Sequence, residues 1–258
     1  MTYSVTTQTP TSRIASTLCL ISIAVLILLP FFAGRGTIQD MFFILTMLVL
    51  AQFWNLLAGY SGLVSIGQQA FVGIGAYALF GVVILSGLDP VPAILIAGVG
   101  ALIIAVPTAF FAFRLNGAYF AIGTWVIAEV VRLLLAQWKT LGGGTGTSLP
   151  RDVTRDMWFV QSIQDLLGVR SAAARDILAY WLALILALAT IGGIYWLLRT
   201  RRGLALAAVR DNTEAAKSVG VDAGRMKWIV FLTSAFGTGL AGGLIYMQKA
   251  RISPDAAF

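Results

Sequence analysis

"ILAYWLALILALATIGGIYWLLRTRR", residues 177–202, runs twenty-two residues without a charge and then meets three arginines within four positions. A helix needs about 20 apolar residues to cross the hydrocarbon core of a bilayer. The stretch therefore predicts a membrane span, Ile177–Leu198, closed by basic residues. The same ruler, moved outward along the chain, finds six more spans: Ile14–Gly34, Met41–Ala58, Gln69–Leu85, Val91–Phe113, Tyr119–Trp138 and Trp228–Met247. The expected fold is an all-α polytopic integral membrane protein, one transmembrane domain over residues 1–258, set in a lipid bilayer. The first span follows a polar tail ending in Arg13 and has no small-residue cleavage site, so it reads as an uncleaved anchor.

Composition agrees. The chain is 59% hydrophobic and 11% charged, where soluble domains carry about 25% charged residues. Its mean hydropathy is +0.87. There is no histidine, and the one cysteine, Cys19, lies in an apolar run. An intrachain disulfide, a cysteine–histidine zinc site and a histidine base are excluded, and no cofactor or metal is expected. The net charge of +7 does not indicate nucleic acid, because the basic residues gather at the ends of apolar runs. That distribution is the positive-inside pattern.

Seven basic residues fall between Arg199 and Lys227, which assigns this connection to the cytoplasm. Alternation then brings Arg114, Arg13 and the amino terminus to the same side. The loop from Lys139 to Asp176 falls outside, where five basic and four acidic residues nearly cancel.

Two segments depart from plain spans. "GYSGLVSIGQQAFVGIGAYA", residues 59–78, mixes five glycines with Ser61, Ser65, Gln68 and Gln69. Glycine weakens a helix, yet small residues also let membrane helices approach closely. The stretch reads either as a tight helix crossing or as a broken or re-entrant element beside a solute path, which needs a protein or aqueous surround. On the second reading, Ser65, Gly67, Gln68, Gln69, Gly73 and Tyr77 line the path, with Tyr119 joining from the fifth span. "GAYALFG" (75–81) and "GAYFAIG" (117–123), which carry those two tyrosines, hint at an internal repeat. The fifth span also holds Glu129 and Arg132, three residues apart on one helical face. Charges within a span face the bundle interior and pair. Without a histidine or a second carboxylate, a structural ion pair fits better than a proton relay. In the outer loop, "LGGGTGTSLP" (141–150) lacks the Lys-Ser/Thr pair of a phosphate-binding loop, so it reads as a flexible turn. Any ATP used by this protein must be bound by another polypeptide.

"AVRDNTEAAKSVGVDAGRMK", residues 208–227, is polar and carries helix start and stop signals. Asp211 and Glu214 suit a capping box. Asn212–Val219 then forms a helix of about 12 Å, Gly220 supplies a left-handed stop, and Asp222 caps the next helix. Val221 and Met226 are spaced for a hydrophobic staple. The small Ala215–Ala216 pair would let a partner's surface come close.

"EAAKSVG" (214–220) resembles the cytoplasmic EAA-x-x-x-G loop of ABC-importer permeases. Together with "NLLAGYSGLVSIGQQAFVGIGAYA", "RLNGAYFAIGTWVIAEVVR" and "RTRRGLALAAVRDNTEAAKSVGV", it is similar to the branched-chain amino acid ABC permeases over roughly Trp54–Phe258. The resemblance implies that Glu214, Ala215, Ala216 and Gly220, within a coupling loop at 199–227, seat in an ATPase subunit. It implies as partners a second homologous permease, two cytoplasmic ATPases and a periplasmic solute-binding protein, in a bacterial inner membrane, with ATP hydrolysis on the ATPases and no enzymatic activity here. Relatives carry leucine-type amino acids, urea, short amides or aromatic acids. Gln68–Gln69 stand where many relatives carry a histidine-containing version, which leaves the small-molecule substrate open. Relatives also continue past "RISPDAAF" into further membrane helices, so a carboxy-terminally truncated product is expected. The rival reading, a secondary transporter or channel acting alone, needs no docking helix and would show more intramembrane ionisable groups. A membrane enzyme lacks any visible catalytic constellation.

Overall fold

The computed structural model describes residues 10–150, 153 and 157–258. Its long helices are α1 (Pro10–Phe32), α2 (Arg35–Asn55), α3 (Gln69–Ser86), α4 (Pro90–Ala112), α5 (Ala118–Ala136), α7 (Ser171–Arg199) and α10 (Ala223–Lys249). Shorter ones are α6 (Trp158–Leu167), α8 (Arg201–Asp211), α9 (Thr213–Ser218) and α11 (Pro254–Ala257). The seven long helices are those with the length and apolarity to cross a membrane, and each overlaps one span expected from the sequence. The chain is an all-α polytopic membrane protein.

Local chemistry sets the helix ends. Asp89 Oδ1 accepts from Val91 N at 2.9 Å to start α4, with Pro90 at the first position. α3 stops at Gly87, whose φ of 66° is left-handed. Within α4, Ala93, Ala97, Ala101, Ala105 and Ala109 recur every fourth residue and are fully buried. This stripe lets α10 lie almost backbone to backbone against α4. A methyl group at Gly239 would overlap the Ala101 side chain, and one at Gly75 of α3 would overlap the Gly239 carbonyl. α3, α4 and α10 therefore form a close-packed trio, α2 pairs with α7, and α1 touches little beyond α7. Large apolar side chains such as Leu95, Ile103, Trp125, Leu134 and Trp196 remain on the flanks, where lipid is their natural surround.

The connections sort onto two opposite ends. At one, Asp176 is buried and accepts from Arg35 Nε at 2.5 Å, Gln39 Nε2 at 3.0 Å and Gln248 Nε2 at 2.6 Å, tying together the starts of α2 and α7 and the last turn of α10. At this end too, β1 (Thr147–Ser148) pairs antiparallel with β2 (Arg251–Ile252). At the other end, Arg210 donates to the Gly59 carbonyl at 3.2 Å, and Phe113 meets Trp228 edge-on at 5.5 Å. We call these the hairpin end and the bracket end. The alternation required by seven crossings holds throughout. The amino-terminal residues 1–9 lie outside the described residues, as do Arg151, Asp152, Arg155 and Asp156 of the outer-loop charge balance.

Three expectations are corrected. The 141–150 stretch is an ordered turn, not a flexible one: Thr147 and Ser148 are strand-paired, and Leu141 is fully buried. The "GAYALFG" and "GAYFAIG" echo is no structural repeat, since Tyr77 is buried in mid-α3 while Tyr119 sits exposed in the first turn of α5. The polar connection holds two helices, because α8 continues through Asp211 before the chain breaks at Asn212.

Candidate functional site

The glycine-rich stretch is a broken span. α2 ends in a π-helical turn, Leu56–Tyr60, and residues 62–65 run without helical or strand pairing before α3 begins at Gln69. Near 3.3 Å per residue, the four residues 62–65 can climb roughly 13 Å. Gly62 lies against Arg210 at the bracket end, whereas Gln68 reaches Ser234 and Thr238 on either side of the midpoint of α10. The non-helical segment thus rises from the bracket end to mid-depth and continues as α3, a single crossing rather than a re-entrant loop. Trp54 Nε1 donates to the Ser65 carbonyl at 3.2 Å and holds the segment against α2. Gly67 touches α5 so closely that a Cβ there would overlap the Thr124 carbonyl. Non-helical backbone at this depth survives only when walled by protein or facing water.

Gln68 is 7% exposed. Its amide nitrogen donates to Ser234 Oγ at 2.5 Å and Thr238 Oγ1 at 2.9 Å, while Ser234 Oγ donates its proton to the Phe53 carbonyl at 3.1 Å. The Gln68 oxygen is buried without a hydrogen-bond partner. Beside it Gln69 is exposed, and the pair lines a cavity of about 410 Å³ with Met47, Leu50, Trp54 and Val72. Ser234 and Thr238 were not singled out from the sequence. Two hydroxyl residues four apart in an apolar span, hence on one helical face, were the available signal.

The other path residues scatter. Ser65 is buried in the extended segment, near Gly67. Gly73 and Tyr77 do not face an open path, because the Phe258 ring covers Gly73 and lies 6.5 Å from the Tyr77 ring. Left-handed Ala250 (φ 54°), β2 and α11 turn the chain back onto α3 to make this contact. Tyr119 is 74% exposed in the first turn of α5, near the bracket end.

Arg132 forks onto Glu129, with Nη2–Oε1 at 2.6 Å and Nε–Oε2 at 3.0 Å. Its Nη1 also reaches Asp255 Oδ1 at 2.5 Å. Arg132 stands one turn from the hairpin end of α5, so the group is a surface-proximal triad rather than a mid-membrane pair.

At the bracket end, Asn212 Oδ1 accepts from both Glu214 N and Ala215 N at 3.0 Å. Asn212 is the cap, correcting the expectation for Asp211, which pairs with Arg210 at 2.9 Å instead. Lys217 Nζ meets Glu214 Oε1 at 2.8 Å along the outer side. Gly220 has φ 85°, and Asp222 Oδ1 accepts from Arg225 N at 2.9 Å, both as expected. Ala216 is buried against Val209 and Ala223, so it packs inward, while Ala215 and Val219 face out. Val221 joins that small cluster, whereas Met226 packs on the main core. A cavity of about 470 Å³ lies beside this bracket, lined by Gly62, Asn116, Arg210, Thr213 and Lys227.

The profile of the family "Branched-chain amino acid transport system / permease component" matches residues 36–258. The chain belongs to that family. It is 30% identical over 257 residues to the high-affinity branched-chain amino acid transport system permease protein LivM of Escherichia coli (strain K12), covering 95% of this chain and 60% of that one. It is also 30% identical over 238 residues to the LivM of Salmonella typhimurium (strain LT2), covering 88% of this chain and 56% of the relative. The chain thus spans about three fifths of the length of the curated relatives it matches. No solved structure matches it significantly. The family is one of transport components. In this chain the broken third span and the α8–α9 bracket both set polar groups apart from the apolar bundle.

Proposed function

We propose that this permease is the membrane-spanning subunit of an ATP-binding-cassette importer that carries leucine-type amino acids across a bacterial inner membrane. The observation that carries the reading is the broken third span. It places Gln68 and Gln69, uncharged polar groups that can hold a small solute without trapping it, beside an open cavity halfway through the bundle. An exposed amide at that depth calls for a protein or aqueous neighbour rather than lipid, which a second homologous permease would supply. The bracket end, rich in arginine and lysine, faces the cytoplasm with the start of α1. There the outward face of α9, with Glu214 and Ala215, and Val219 just past its end, seats in an ATPase, and two ATPases drive the paired permeases. Ala216 and Gly220 shape that helix from behind. A periplasmic solute-binding protein delivers the amino acid at the hairpin end.

The test is purification of the tagged protein from its native membranes in mild detergent, followed by reconstitution into vesicles. An ATP-binding subunit and a second permease should co-purify, and labelled leucine should enter only with ATP and the binding protein. Recovery of the chain alone, with uptake driven by an ion gradient, would overturn the reading in favour of a stand-alone carrier.

A further inference from the structure

We infer that Gln68 is a specificity-determining residue whose amide oxygen accepts a hydrogen bond from the ammonium group of the transported solute. This rests on the importer reading above and adds to it a recognition atom and its partner chemistry.

The orientation of the Gln68 amide is dictated by its neighbours. Ser234 has one hydroxyl proton, and the Phe53 carbonyl takes it. Ser234 Oγ therefore turns a lone pair toward Gln68, and only an N–H can meet it. The second N–H goes to Thr238 Oγ1 at 2.9 Å. Both donors are spent, so the oxygen is what Gln68 has left to offer. It is buried and unpartnered, which for an amide carbonyl is an unsatisfied acceptor awaiting a donor. Rotating the amide would bury its two N–H groups in the position where the oxygen now finds no partner, which leaves more unsatisfied groups than the present orientation.

The surroundings select the donor. Gln68 lines the cavity of about 410 Å³ whose other walls include Met47, Leu50 and Val72. These walls suit an aliphatic side chain. Gln69, exposed on the same rim, offers amide N–H groups to a carboxylate. An acceptor, a donor and an apolar wall within one cavity match an aliphatic α-amino acid zwitterion. No carboxylate stands among the described residues of the lining, so the ammonium meets a neutral acceptor and the solute is held and released without an ion pair to break.

Trp54 lines the same cavity and serves as reporter. The purified complex is titrated with leucine, or with 4-methylpentanoate, which lacks the amine, while tryptophan fluorescence is followed; Trp54→Phe identifies the signal from this site. The parent should respond to leucine at concentrations at least about tenfold below those needed for 4-methylpentanoate, the size of a hydrogen bond to a charged group. Gln68→Met, close in volume and without the acceptor, should erase that preference. Ser234→Ala, which unlocks the amide while leaving Gln68 in place, should weaken it. If the complex transports leucine but Gln68→Met and Ser234→Ala keep the parental preference, or leucine gives no Trp54-dependent change, the inference fails. If the complex neither transports nor responds to leucine, the importer reading fails instead.

Discussion

Gly67 shows how one atom decides whether the broken span can exist. Its backbone N–H lies 3.4 Å from Thr124 Oγ1, and a methyl group on its Cα would enter the Thr124 carbonyl. Overpacking of this kind costs about 1–3 kcal/mol, and backbone on both sides leaves little room to relax. Gly192, on α7, has nothing within 4 Å of where a Cβ would stand. There Gly→Ala removes an unfavourable helix residue, with a gain of up to about 1 kcal/mol. Gly67→Ala should therefore lower the melting temperature in detergent and impair uptake, whereas Gly192→Ala should leave uptake intact and hold or raise the melting temperature. Equal shifts for the two would mean that the 62–67 segment does not press on α5. The sequence showed that glycines and amides cluster here. It did not show that Gly67 meets Thr124 or that Gln68 meets Ser234, because those partners lie 57 and 166 residues away.

At the scale of an element, the α8–α9 bracket separates what is local from what is not. Gly220 and Asp222 were legible because each acts on backbone within three residues of itself. The cap was misplaced by one residue because α8, with its own Thr200 cap at Arg202 N, runs on through Asp211. The inward turn of Ala216 depends on Val209 from one helix and Ala223 from another, so no reading of α9 alone would reveal it. The two alanines, adjacent in sequence, therefore separate in experiment. Ala215→Trp places bulk on the outer face and should abolish ATPase association with no change in melting temperature. Ala216→Trp has no space and should lower the melting temperature as well. Asn212→Ala removes a cap that serves two N–H groups and should destabilise the bracket by about 1 kcal/mol. Gly220→Val, forced to a positive φ that a β-branched residue resists, should lose ATPase association through distortion of the turn. Parental pull-down of the ATPase by both Ala215→Trp and Gly220→Val would leave α9 as a surface turn.

For the whole molecule, the spans were legible because crossing a bilayer demands little more than length and apolarity, which a single sequence displays directly. The order in which they pack was not. Asp176 finds Arg35 and Gln248, and Arg132 finds Asp255, across 72 to 141 residues of chain. These long contacts nonetheless bear on topology. The Asp176 cluster and the β1–β2 pair gather the α1–α2, α6–α7 and post-α10 segments at one end, and Arg210 gathers the α2–α3 connection at the other. Seven alternating crossings leave only one freedom, which end faces the cytoplasm. Five arginines and two lysines lie between Arg199 and Lys227 at the bracket end, and basic excess near spans resists export. The bracket end is therefore expected inside. Cysteines placed at Thr145 and Thr213, with Cys19 replaced, test this in intact cells. Both residues lie off the membrane-crossing helices, Thr145 at the hairpin end and Thr213 at the start of α9. A membrane-impermeant maleimide should label Thr145→Cys from outside and Thr213→Cys only after permeabilisation. The reverse pattern would invert the molecule. Outside labelling of both would break the alternation itself, since an odd number of crossings, α6 and the surface turns excluded, separates the two sites.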